Sequence, residues 1–76
     1  METELAQILR EEILDHDGNI GADTDLFEIG LDSMAIMQLQ LAVEERFSVT
    51  IDPADLSREN FQTPEAITRL IKSKQA

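Results

Sequence analysis

The stretch Gly30-Leu31-Asp32-Ser33-Met34 places a serine where a polar loop ends and an apolar-periodic helix begins, with an acid directly before it. Unpaired backbone N–H groups and the positive end of the helix dipole gather at such a position. A phosphate ester on the oxygen of Ser33 would therefore meet hydrogen-bond donors and a favourable field. The alternative is that Ser33 only caps the helix, which is among the commonest uses of serine. These five residues alone leave both interpretations open.

The helix that starts at Ser33 extends to Phe47 without a glycine or proline, and it is the strongest helix signal in the chain. Residues placed about 100° apart around its axis form two apolar faces. The predicted core face consists of Ile36, Leu39, Val43 and Phe47, and the second face, called the Met face below, consists of Met34, Met37 and Leu41. A surface helix of a monomer needs only one apolar face, and methionine suits surfaces that bind several partners. We predict that the Met face is a docking surface beside Ser33; the alternative is that its methionines pack under the long loop.

Three further helices are predicted from apolar spacing and helix-start signals. A first helix spans about residues 2–15, and a long connection of residues 16–32 follows. Asp52-Pro53 starts a short helix to about Arg58, and Thr63-Pro64 starts the last helix. The apolar residues behind these assignments are Leu5, Ile8, Leu9 and Ile13 in the first helix, Leu26, Phe27, Ile29 and Leu31 as anchors of the loop, and Ile67, Leu70 and Ile71 in the last helix. The predicted fold is all-α, a four-helix bundle with a long first loop and a short third helix.

Composition limits the classes of function. The chain has 76 residues, which predicts one domain spanning residues 1–76, and it has no cysteine, which excludes disulfides and thiolate metal sites. Sixteen acids against six bases give a net charge of −10, a field that disfavours nucleic acid and favours basic protein surfaces. No apolar run approaches the ~20 residues of a membrane span, and the N-terminal residues do not form a signal peptide. We expect a cytoplasmic monomer with no nucleic-acid partner and no membrane span.

The sequence does not indicate catalysis by the chain itself. Hydrolysis through Ser33 would need a base and an oxyanion hole, yet the sole histidine is His16 and no Gly-x-Ser-x-Gly motif surrounds the serine. The run Asp15-His16-Asp17-Gly18-Asn19 imitates the first ligand positions of a calcium loop. Ile20 and Leu26, however, occupy the positions that need glycine and a bidentate glutamate. We therefore predict no catalytic residue and no metal site.

This chain resembles the acyl and peptidyl carrier proteins over essentially its whole length. The resemblance rests on its size, its acidic composition and its four predicted helices, with a long first loop, Asp32-Ser33 at the start of the second helix and a short third helix. The resemblance implies that a separate phosphopantetheinyl transferase attaches 4′-phosphopantetheine from coenzyme A to Ser33. The terminal thiol would carry an acyl or aminoacyl group as a thioester. Asp32 would support the transfer by helping to orient the metal ion of the transferase, and acid along the second helix, including Glu44, would dock against basic patches of partner enzymes. The other implied partners are an amino-acid- or acyl-activating ligase and a downstream acyltransferase or synthase.

Details within the family favour an aminoacyl carrier. Leu31-Asp32-Ser33-Met34, and Leu56-Ser57-Arg58-Glu59-Asn60-Phe61 leading to Thr63-Pro64, are similar to the D-alanyl carrier proteins. The chain departs from that pattern at Phe61, where tryptophan is expected, and at Ala35, where those carriers commonly have glycine. We predict amino-acid cargo; the alternative is a fatty-acyl or polyketide carrier. An alternative of a different class is an unmodified acidic helical adaptor that uses the Met face without a cofactor.

Overall fold

The computed structural model describes residues 2–14 and 20–75, and within these ranges it contains helices and connecting segments but no strand. The helices are α1, Glu2–Ile8; α2, Ser33–Phe47; α3, Arg58–Phe61; and α4, Pro64–Gln75. A π-helical segment, Leu9–Ile13, continues α1, and a 3₁₀ turn, Pro53–Asp55, precedes α3. The predicted all-α fold with four helices, a long first loop and a short third helix is confirmed.

The described residues contain neither a metal-binding cluster nor a membrane-spanning helix. Residues 15–19, which contain His16 and the run that imitates a calcium loop, lie outside the described residues. Across residues 2–14 and 20–75, no cluster of three or more potential ligand residues is arranged to hold a metal ion. No helix in these same ranges has the length and apolar character needed to cross a membrane.

The first helix departs from the predicted α-helix of residues 2–15, because its hydrogen bonding changes at Leu9. The Leu14 N–H donates to the Leu9 carbonyl at 2.8 Å, a bond between residues five apart that widens the turn and places Leu14 over Leu9. Leu9 is fully buried, and Ile13 and Leu14 pack against the core while partly exposed. The wider turn therefore brings two consecutive residues to the core, where α-helical spacing would bring only Ile13.

The helix α2 has the predicted bounds, but its buried face is rotated from the predicted one. Leu39 and Val43 are buried as expected, and Ala35 joins them. Ile36 and Phe47, which the apolar spacing assigns to the core, are only partly buried at its margin. With residues about 100° apart, the buried arc centres on Leu39, about 40° from the centre of the predicted face. The helix α2 is therefore rotated about its axis relative to the prediction, and its length is as predicted.

Two polar side chains of α2 hold the segment that follows this helix. Oε2 of Glu44 accepts a hydrogen bond from the Ile51 N–H at 2.8 Å, and Nε2 of Gln40 donates to the Ile51 carbonyl at 3.3 Å. Ile51 is buried, and a buried backbone group left without a partner would be costly. Gln40 and Glu44 therefore satisfy both backbone groups of Ile51 and fix this segment against α2.

The predicted third helix of about residues 53–58 is divided in two. Asp52 and Asp55 form a reciprocal capping box around the 3₁₀ turn, and Leu56 then leaves the helical region at φ −83° and ψ 59°. The Ser57 hydroxyl caps a new helix by accepting a backbone N–H three residues further on. Because each cap closes its own turn, the helix does not continue through this segment, and α3 begins later than predicted.

Lys74 joins the end of α4 to the 3₁₀ turn. Its Nζ lies 2.6 Å from Oδ2 of Asp55 and 3.4 Å from Oδ2 of Asp52. The hydrogen bond from Lys74 holds the pKa of Asp55 below its ordinary value, and the same contact raises the pKa of Lys74. Asp55 thus adds stability above its unfolded-state pKa, and this contribution is lost as the pH falls through the folded value. Lys74 adds stability below its unfolded-state pKa and loses it as the pH rises through the raised value, so the pair is intact around neutral pH.

The long connection is anchored by its apolar side chains and by a backbone bond to the α3–α4 junction. Leu26 and Leu31 are buried, and Phe27 and Ile29 pack against the core while partly exposed. The Leu26 N–H donates to the Gln62 carbonyl at 2.8 Å. The predicted anchoring of the loop by these four apolar residues is confirmed. The loop precedes α2 in the sequence, and Gln62, its backbone partner, follows α2.

Leu39 and Leu41 provide a matched pair, because the same substitution removes the same atoms from opposite faces of α2. Leu39 is 0% exposed and Leu41 is 66% exposed. Leu39→Ala is expected to lower the free energy of unfolding by about 2–5 kcal/mol through an internal cavity, and Leu41→Ala by less than about 0.5 kcal/mol. Chemical unfolding followed by circular dichroism measures both values. Equal losses would show that the Met face belongs to the core.

Candidate functional site

The N-terminus of α2 is capped by Asp32 and not by Ser33. Asp32 has an extended backbone with φ −135° and ψ −175°, and its Oδ1 accepts a hydrogen bond from the Ala35 N–H at 2.9 Å. Its carbonyl accepts the first helical bond, from the Ile36 N–H at 2.8 Å. The interpretation of Ser33 as the cap is therefore wrong. The acid fills the capping position, and Ser33 becomes the first residue inside the helix.

Ser33 is exposed at the positive end of α2. Among the described residues, the bonds that close this helix end are made by Asp32, Ala35 and Ile36, and they leave the Ser33 hydroxyl without a partner. The first N–H groups of a helix have no helical acceptor, so donors and a positive dipole lie beside a free hydroxyl. A phosphodiester on this oxygen fits that environment. No described side chain is placed to activate the hydroxyl as a nucleophile.

The Met face is exposed beside Ser33. The exposed fractions are 71% for Met34, 62% for Met37 and 66% for Leu41. These values confirm that the three side chains lie outside the core, and the alternative in which the methionines pack under the long loop is wrong. Contiguous apolar side chains on the surface are typical of an interaction site.

Glu44 lies at the margin of the Met face and is half-buried. One of its carboxylate oxygens is held by the Ile51 N–H, a structural role that the sequence pattern does not indicate. The predicted contact between Glu44 and basic patches of partner enzymes stays a prediction.

The turn before Ser33 is held in one conformation by backbone bonds and a glycine. The Leu26 carbonyl accepts hydrogen bonds from the Ile29 N–H at 3.3 Å and from the Leu31 N–H at 2.9 Å. Gly30 has a φ of 120°, a conformation that residues with a side chain rarely adopt. Gly30 therefore lets the chain reverse just before Asp32, which places the capping carboxylate at the start of α2.

Arg58, the first residue of α3, stacks on this turn. Its guanidinium carbon lies 4.4 Å from the centroid of the Phe27 ring, within the range of a cation–π interaction. The Phe27 N–H donates to Oδ1 of Asp25 at 3.0 Å, and Nε2 of Gln62 donates to Oδ2 of Asp25 at 3.4 Å. The turn and the α3–α4 junction are thus linked through side chains that lie far apart in the sequence, so local spacing gives no signal for these contacts.

Comparison with known families agrees with this geometry. The family profile described as "Phosphopantetheine attachment site" matches residues 3–71. The chain belongs to this family. The resemblance to carrier proteins is thereby confirmed, and the family carries covalently attached 4′-phosphopantetheine.

Relatives of the chain include proteins named as carriers of amino-acid groups. The D-alanyl carrier protein of Listeria monocytogenes is 39% identical over 59 residues, which cover 75% of this chain and 76% of that protein. Aminoacyl carrier protein 1 of Bradyrhizobium diazoefficiens is 37% identical over 49 residues, which cover 64% of this chain and 54% of that protein. The lincomycin biosynthesis protein LmbN of Streptomyces lincolnensis is 49% identical over 51 residues, 66% of this chain. The matched segment spans only 18% of LmbN and about half of the aminoacyl carrier.

Solved structures agree with the fold. The structure of an engineered Bradyrhizobium japonicum glycine:[carrier protein] ligase complexed with a carrier protein from Agrobacterium tumefaciens and AMP gives a TM-score of 0.81 at 29% identity, covering 95% of this chain and 99% of that chain. The structure of the B. japonicum ligase complexed with glycylated carrier protein gives a TM-score of 0.70 at 30% identity, covering 91% of this chain and 90% of that chain. The bundle therefore has the fold of carrier proteins.

The assignment of the cap to Asp32 predicts different effects for neighbouring substitutions. Asp32→Ala should lower the free energy of unfolding by about 0.5–2 kcal/mol, because the Ala35 N–H loses its acceptor. Asp32→Asn should retain most of this stability, since the amide oxygen can accept the same bond. Ser33→Ala should be nearly neutral in the same unfolding measurement. A loss in Ser33→Ala as large as that in Asp32→Ala would contradict the assignment.

Proposed function

We propose that this chain is a carrier protein in which a phosphopantetheinyl transferase attaches 4′-phosphopantetheine from coenzyme A to Ser33. The supporting observation is the N-terminus of α2, where Asp32 fills the cap and leaves the exposed Ser33 hydroxyl free. The bound arm supplies a thiol that carries cargo as a thioester. The residues of the chain hold this tether at a defined place, and partner enzymes perform the chemical steps.

The two carboxylate oxygens of Asp32 have different roles in this proposal. Oδ1 accepts the capping bond from the Ala35 N–H, whereas Oδ2 has no donor among the described residues. Oδ2 is therefore available to help orient the metal ion of the transferase during transfer to Ser33. Capping and support of the transfer are compatible, because they use different oxygens of one side chain.

The proposed cargo is an amino acid. Support comes from relatives named as D-alanyl and aminoacyl carriers and from carrier structures bound to a glycine ligase. The described interior is filled by branched and aromatic side chains exposed by at most 1%: Ile8, Leu39, Val43, Phe61, Ile67 and Ile71. An aminoacyl group would lose the hydration of its ammonium in such an interior without gaining a partner. We therefore place the cargo on the surface, with a fatty-acyl or polyketide group as the competing assignment.

The Met face is the proposed docking surface for partner enzymes. These partners are the transferase, an amino-acid-activating ligase, and a downstream acyltransferase or synthase. Because the Met face begins at the residue after Ser33, an enzyme that covers it brings its active site to the tether. The flexible thioethers of Met34 and Met37 can repack against several partners. We propose that the chain is a cytoplasmic monomer that meets these enzymes one at a time.

The attachment site is tested by incubating apo-protein with coenzyme A and a broad-specificity phosphopantetheinyl transferase. Intact mass should show one added phosphopantetheine in the wild type and none in Ser33→Ala, which keeps its fold because Asp32 makes the cap. Ser73→Ala, a control at an exposed serine of α4, should be modified like the wild type. An adduct that persists in Ser33→Ala would contradict the site. A wild-type chain that takes no adduct would favour the unmodified acidic adaptor.

The docking surface is tested with Met37→Ala, which removes an exposed apolar side chain and should leave the melting temperature nearly unchanged. The KM of the transferase for the carrier should rise by about fivefold, the size typical of a contributing interface residue, while kcat stays the same. Gln38→Ala is the matched control, since Gln38 is an exposed neighbour outside the Met face. Equal KM values for the two variants would argue against docking through the Met face.

The cargo is tested by comparing loading of the pantetheinylated protein by the glycine:[carrier protein] ligase and by a fatty-acyl ligase. We expect efficient glycyl loading and poor fatty-acyl loading. The melting temperature should not change on glycylation, because the group stays outside the bundle, and should rise little on octanoylation. Efficient fatty-acyl loading together with a rise of several degrees on octanoylation would favour the fatty-acyl alternative.

A further inference from the structure

Arg58 is an exposed cation that forms no ion pair with any acid among the described residues, although the chain has 16 acids and only six lysine and arginine residues. Among the described residues, three of the other five bases form ion pairs, whereas Arg10 and Lys72 do not. Arg46 lies 3.1 Å from Glu12, Arg69 lies 3.0 Å from Glu65, and Lys74 lies 2.6 Å from Asp55. Arg58 instead places its guanidinium carbon 4.4 Å from the centroid of the Phe27 ring.

This stack prepares the guanidinium of Arg58 for an external carboxylate. An aromatic ring against one face of the group restricts its motion and leaves the N–H donors at its edge available. Those donors form a planar fork that matches a carboxylate with two parallel hydrogen bonds. Restricting a long side chain before binding lowers the entropy lost when the contact forms. An arginine held in this way is suited to a specific ion pair with another molecule.

The stack also lies on the segment that leads into the tether site. Phe27 follows Leu26, whose carbonyl accepts the Leu31 N–H, and Leu31 directly precedes the capping Asp32. The Met face begins on the other side of Ser33. An enzyme that reaches Ser33 therefore meets an apolar face on α2 and, stacked on the turn that precedes Ser33, the exposed guanidinium of Arg58 from α3.

We propose that Arg58 is a second docking contact, which forms an ion pair with a carboxylate of the enzyme that acts at Ser33. This inference rests on the proposed carrier function. The excess of acid elsewhere on the chain attracts basic surfaces. At Arg58 the charge is positive, so a partner must present a negative group there. Complementary charges of both signs fix the orientation of a complex, since a rotated partner brings like charges together. Apolar contact with the Met face adapts to different partners, and Arg58 selects the rotation in which they dock.

The test compares Arg58→Gln with Arg69→Gln. Both substitutions replace an exposed arginine with the same residue and change the net charge equally, but Arg69 is already paired with Glu65. Kinetics are measured with the broad-specificity transferase on the apo-protein and with the B. japonicum glycine:[carrier protein] ligase on the pantetheinylated protein. Arg58→Gln should raise KM by about two- to fivefold without changing kcat, as expected for one exposed ion pair, and high salt should abolish the difference. Arg69→Gln should leave KM nearly unchanged.

Phe27→Leu separates the charge from the stack. It keeps Arg58 but removes the ring, so KM should rise by less than in Arg58→Gln, and Arg58→Lys should give a value between wild type and Arg58→Gln. Equal KM values for Arg58→Gln and Arg69→Gln with both enzymes would overturn the proposal. A lower melting temperature of Arg58→Gln with unchanged KM would also overturn it and would indicate that Arg58 only anchors the turn. A change of KM confined to the pantetheinylated protein would overturn it as well and would indicate that Arg58 binds the phosphodiester. Failure of the carrier function itself is distinguishable, because the wild type would then take no adduct.

Discussion

The hydrogen bond from the Ala35 N–H to Oδ1 of Asp32 is the contact on which the candidate site depends. A helix end needs a side-chain acceptor, and both aspartate and serine are good ones. If Ser33 made this bond, an ester on its oxygen would compete with the cap. Because Asp32 makes it, the proposed ester on Ser33 leaves the helix end closed. The dipeptide thus separates the stability of α2 from the chemistry at its first residue.

The helix α2 combines three functions around one axis. Its buried face, centred on Leu39, packs into the core, and the Met face is left in water. The edge between these faces carries Gln40 and Glu44, which hold the backbone of Ile51. The polar edge therefore does more than separate two apolar surfaces, since it ties the chain after α2 to the helix. This arrangement allows the Met face to remain exposed, because the segment at residues 49–51 is fixed at the edge and does not cover it.

The sequence predicts those parts of the fold that depend on local signals. The bounds of α2 and the start of α4 at Pro64 follow from apolar spacing and from a capping residue before proline. The sequence does not predict which of Asp32 and Ser33 is the cap, because both residue types cap helices well and the backbone geometry decides between them. The π-helical bond at Leu9 and the stack of Arg58 on Phe27 likewise depend on packing between distant segments. Spacing could reveal the exposed Met face, but no local pattern pairs Arg58 with an aromatic ring.

The charge distribution explains how a strongly acidic chain remains folded and how far its charge can orient a partner. Arg46 joins α2 to Glu12 in the π-helical segment, and Lys74 joins α4 to Asp55. Ion pairs in contact with solvent contribute little net stability, so the apolar core supplies most of the stability and these bases mainly offset repulsion between segments. The acids left unpaired give a long-range negative field that brings basic surfaces to the chain but fixes no orientation. Orientation requires short-range contacts of a different kind, and in the proposed docking these are Arg58, stacked on the turn before Ser33, and the Met face.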